Sequence, residues 1–119
     1  MSKSHNGHRP LKKVLDAVEK ACSHDRQVQA RRLLALELET DALSERAAKV
    51  TREWSGMSAR EQRSSLLSLA ARAQALSTSC LSAGYPQAAE KFRRDAQRTL
   101  DTVRELDIRA ESRAGDGAN

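Results

Sequence analysis

Apolar residues recur at alternating steps of three and four in three separate stretches of this 119-residue chain. The first runs Leu33, Leu36, Thr40, Leu43, Ala47, Val50, Trp54; the second Leu66, Ala70 with Leu69 beside it, Ala73, Leu76, Cys80; the third Ala89, Phe92, Ala96, Thr99, Val103, Leu106, Ala110. Such a rhythm holds one stripe of side chains on one face of an α-helix, and a helix with a stripe buries it against a neighbour. The fold class this predicts is all-α: an antiparallel bundle of three long helices with coiled-coil-like packing, plus one short N-terminal helix.

Composition narrows what such helices can do. Aromatic residues make up only 3% of the chain, so the core is built from Leu, Ala and Val, with little material for an aromatic-lined ligand pocket or a base-stacking platform. The 21 Lys and Arg against 16 Asp and Glu give a net charge of +5, which keeps nucleic acid and acidic protein surfaces open as partners. Both signs are interleaved along the helical stretches, with Glu45 and Lys49, Glu90 and Arg94, and Glu105 and Arg109 each one turn apart in the favourable order. The doublets Arg31–Arg32 and Arg93–Arg94 are the densest basic spots, and neither amounts to a basic tract.

The expected organisation is a single helical domain over residues 10–112, between disordered tails at 1–9 and 113–119, with helices at about 10–22, 27–54, 59–83 and 86–112. Pro10 suits the first helical position, where its missing N–H has no partner to lose. Leu11, Val14, Leu15, Val18, Ala21 and Cys22 then form a compact apolar face. The stripe falls silent over Ser23–Gln27, where a turn is expected although neither Gly nor Pro enforces it. The break at Ser55–Met57 contains Gly56, a residue able to close a helix in the left-handed conformation. Ser58-Ala59-Arg60-Glu61 reads as a capping box that opens the third helix. Gly84 stops that helix and Pro86 opens the fourth.

Within the segment Gly84–Phe92, Tyr85, Ala88 and Phe92 stand at spacings that resemble the second half of a tetratricopeptide repeat, over about half of one repeat. Arrays of that kind need at least about three repeats, so the segment is read as an ordinary helical hairpin and no family follows from it.

No catalytic constellation is visible, and an enzyme is not expected. The serines at 64, 65, 68, 77, 79 and 82 lack a Gly-x-Ser-x-Gly elbow, and there is no phosphate loop and no carboxylate cluster. His5 and His8 are three apart with no Cys or carboxylate at metal spacing, so neither a metal nor a cofactor is expected. Cys22 and Cys80 lie on apolar stripes and are read as reduced, small core residues. The N-terminus lacks the apolar segment of a secretory signal and no run of about 20 apolar residues occurs, which points to a cytoplasmic protein without a membrane partner.

After the stripes are assigned, Leu34, Leu38, Leu67, Leu81, Leu100 and Ile108 remain, and Trp54 with Met57 sits at a helix corner. Helices apolar on a second side bury it in a wider core, against a second protomer or against a target helix. The functional expectation is therefore a small helical interaction module, a regulatory adaptor or inhibitor such as an anti-activator that sequesters a transcription regulator. Its partner would be another protein, a second copy as a homodimer, or both. The alternative is a basic helical nucleic-acid-binding protein, motivated by the net charge and the arginine doublets.

Overall fold

The computed structural model describes the backbone of residues 2–118 and the side chains of residues 11–115. It contains three α-helices: α1 (Ser2–Glu53), α2 (Ala59–Ser82) and α3 (Pro86–Ala118), with a single 3-10 turn at Trp54–Gly56 after α1 and no strand among the described residues. No described helix is long and apolar enough to cross a membrane.

The expected short first helix is not a separate element. Residues 23–27 continue α1 without a break. Ser23–Gln27 lacks an apolar stripe, but it also lacks Gly and Pro, and a polar segment exposed on all sides propagates a helix at little cost once the turn before it exists. Pro10 consequently falls inside α1 instead of at its start. The helices also reach into the segments expected as tails at 1–9 and 113–119, with α1 beginning at Ser2 and α3 ending at Ala118. Met1 and Asn119 lie outside the described residues.

The two helix boundaries with explicit signals form as their chemistry dictates. The Ser58 hydroxyl accepts from the Glu61 N–H at 3.1 Å, and the Glu61 carboxylate accepts from the Ser58 N–H at 3.4 Å, completing the capping box of α2. At the other end Gly84 takes φ +90°, the Gly84 N–H donates to Leu81 O at 3.1 Å and the Tyr85 N–H reaches back to Cys80 O at 2.8 Å. These are the paired bonds of a Schellman closure, which needs a left-handed residue at that place. Gly56 does not adopt the left-handed conformation anticipated for it. There the chain turns through the 3-10 step, with the Met57 N–H bonded to Trp54 O at 3.2 Å and the Gln62 side-chain amide donating to the same carbonyl at 2.9 Å.

The chain divides into two compact units, Met1–Ala35 and Leu36–Asn119. The first is helical over its described residues, and among its described side chains none is buried. Among the described side chains the buried ones all lie in the second: Ala70, Ala73, Leu76 and Cys80 on α2, and Ala89, Phe92, Ala96 and Val103 on α3. All eight belong to the second and third apolar stripes. Because alanine dominates, α2 and α3 approach closely as a hairpin, and the Ser77 hydroxyl donates across it to Ala89 O at 2.6 Å. Arg63 Nε meets Asp107 Oδ1 at 2.9 Å further from the turn, so residue numbers rise on α2 as they fall on α3 and the pair is antiparallel. Leu36 and Leu43 of α1 pack against the cluster formed by Leu76, Cys80, Ala89 and Phe92.

Candidate interaction surface

Within Leu36–Asn119 the α1 stripe is only half buried. Leu36, Thr40, Leu43, Ala47, Val50 and Trp54 all keep partial contact with solvent. Thr40 and Thr99, the hydroxyl-bearing members of their stripes, satisfy themselves locally by donating to Leu36 O at 2.7 Å and Asp95 O at 2.8 Å. An open groove of about 370 Å³ is floored by Leu43, Leu69, Ala73 and Phe92 and rimmed by Lys91, Asp95 and Arg98. Thr40 and Thr99 also line it but spend their hydroxyls on their own helices, and its open form fits a helix junction better than an enclosed ligand site.

The eight residues expected to meet a partner separate into two groups. Leu34 on the first unit is 55% exposed, and on the second unit Leu38 is 61%, Leu81 63% and Ile108 56% exposed. Leu67, Leu100, Trp54 and Met57 are half-buried instead. Met57 accepts a hydrogen bond from the Ser65 hydroxyl at 3.8 Å, and Trp54 carries the carbonyl that Gln62 ties down, so this pair serves the α1–α2 corner.

The exposed members on the second unit do not form one patch. Leu81 lies at the turn end of the α2–α3 hairpin, and Leu38 lies at the same end because its neighbours Leu36 and Leu43 contact the core cluster beside the turn. Tyr85, in the turn itself, is 37% exposed and extends that end, a residue the periodicity could not single out because it sits between helices. Ile108 stands one residue from Asp107, which pairs with Arg63 near the start of α2, and so belongs to the opposite end.

Electrostatics bears on the basic spots. Glu90 accepts from Arg93 through Nε at 2.8 Å and Nη2 at 2.6 Å, and Arg94 Nε reaches the same carboxylate at 3.2 Å. The hydrogen bonds from Arg93, with the charges of both guanidinium groups, pull the Glu90 carboxyl down to about 2, and the Arg93 guanidinium is raised in turn. One of the two arginine doublets is thus engaged by a carboxylate of its own helix, which lowers its value as a phosphate contact.

Cys80 is buried in the core cluster, and burial, reinforced by the charge of Glu39, pushes its thiol up. Cys22, read from the sequence as a core residue, is exposed. Its stripe is intact, but no described side chain covers it. Among the described residues no group of His, Cys, Asp and Glu is arranged to hold a metal ion. The side chains of His5 and His8 lie outside the described residues.

No protein-family model, curated protein or solved structure matches this chain.

Proposed function

We propose that this chain is a small non-enzymatic interaction module of the cytoplasm, a regulatory adaptor or inhibitor that binds a protein partner through apolar helix faces. In this reading the second half of α1 and the α2–α3 hairpin act as an antiparallel bundle with coiled-coil-like seams, which displays the leucines the seams do not use. The observation that carries it is the exposure of Leu38 and Leu81, at 61% and 63%, at one end of the second unit. Exposed apolar side chains that cluster at one end of a helical unit, rimmed by polar residues, offer the kind of surface a protein partner covers. Leu34 and Ile108 add further exposed apolar surface, while Leu67, Leu100, Trp54 and Met57 are the half-buried members of the same set. Sequestration of a transcription regulator is one activity such a module performs.

Capture from the native cell with the full chain as bait, read by mass spectrometry, tests the proposal. A specific protein should be retained and then lost with Leu38→Glu and Leu81→Glu, two substitutions at exposed positions that leave the fold intact. Capture unchanged by both variants, or no specific protein at all, would sink it. Retardation of DNA at low salt, weakening steeply as salt is raised, would replace it with the nucleic-acid reading.

A further inference from the structure

On the first unit, Leu11, Val14, Leu15 and Val18 are between 54% and 58% exposed, and Ala21 and Cys22 are exposed beside them. At about 100° per residue these six fall within an arc of roughly 120°, a continuous apolar face some 17 Å long. The face has a defined end: the next positions along it are Asp25, Gln29 and Arg32. One edge carries Lys12 and Glu19, seven residues apart and of opposite sign, and the other edge is lined by small Ala17 and Ala21.

We propose that this face is closed by the same face of a second copy of the chain, running antiparallel. The pattern is self-complementary in that direction alone. Setting Leu15 against the partner's Val18 places Leu11 against the partner's Cys22 and Val14 beside the partner's Ala21, so each large side chain meets a smaller one and the spacing stays even. The same register brings Lys12 to the partner's Glu19, and the two-fold symmetry makes that pair twice. Parallel, in-register pairing instead sets Glu19 beside the partner's Val14 and forms no ion pair along either edge. This deepens the interaction reading by naming one partner, on a face that includes neither Leu38 nor Leu81.

Sedimentation equilibrium of the full chain up to about 0.1 mM is the first measurement, a range suited to a contact of only a few helical turns. A reversible dimer is expected. Val18→Glu, at a position exposed in the single chain, should weaken it by about tenfold or more with unchanged helix content. Lys12→Glu should also weaken it, and Lys12→Glu together with Glu19→Lys should restore it. Mild oxidation of the Leu11→Cys variant fixes the direction: the introduced thiol should link to the partner's Cys22, since Cys80 is buried. A monomer throughout, a dimer indifferent to Val18→Glu, or ready Cys22-to-Cys22 linkage in the unsubstituted chain would each overturn the proposal. None of these results touches the Leu38 and Leu81 capture experiment, so the two readings fail separately.

Discussion

Glu90 shows how one carboxylate organises its surroundings while contributing little to folding. Three donor atoms from Arg93 and Arg94 converge on it, yet its side chain stays 42% exposed, so solvent screens the pairing. Its folded pKa is depressed, so the stabilisation is present above the ordinary value of 4.5 and is lost as pH falls through about 2. Thermal melts of the wild type and Glu90→Gln should therefore differ by a small margin at neutral pH, and the difference should close between those two values. A margin that persists to pH 2 would contradict the pairing. The cysteines make a sharper contrast at the same scale. A thiol is attacked as its thiolate, and burial withholds both access and ionisation. A maleimide should label Cys22 promptly in the native protein and Cys80 only after denaturant is added, as counted by intact mass.

At the scale of elements, the sequence was legible wherever a local rule had a single physical outcome. Ser58 with Glu61 could satisfy two N–H groups only by starting a helix, and Gly84 was the residue able to take φ +90° without strain where α2 closes. The stripes of α2 and α3 mapped onto the buried residues because alanines at repeated positions permit, and reward, a close approach. The silent segment at Ser23–Gln27 misled because loss of an apolar stripe reports loss of a packing partner and not loss of helix. The same limit explains Cys22: periodicity shows which residues share a face, never whether that face is covered. Close packing at the hairpin carries its own prediction. Ala96 is 1% exposed between α2 and α3, so Ala96→Leu should overpack the contact and lower stability by about 1–3 kcal/mol. Ala71→Leu, on the exposed side of α2, should change it by less than about 0.5 kcal/mol. Chemical denaturation of the two variants separates a helix that tolerates leucine anywhere from a helix that is tight on one face.

The distribution of burial over the whole molecule makes a stronger statement than any single contact. Each of the eight buried residues lies between Ala70 and Val103, and the α1 residues packed on their cluster, Leu36 and Leu43, belong to the same unit. Cooperative unfolding reports loss of buried apolar surface, so it should be a property of Leu36–Asn119. A fragment spanning that unit is expected to keep a cooperative helical melt, with a midpoint within a few degrees of the full chain's when both are measured at low protein concentration. The unit Met1–Ala35 has no buried side chain among those described, and an isolated helix in water is only marginally stable. Its amides should therefore exchange with deuterium faster than those of α2 and α3, and should gain protection as protein concentration rises if a second copy closes the face at Leu11–Cys22. In the fragment both that concentration dependence and the dimer should disappear, while capture through Leu38 and Leu81 should survive. A fragment that does not fold would show that the core over Ala70–Val103 is insufficient alone; a fragment that still dimerises would move the self-contact from α1 to the second unit.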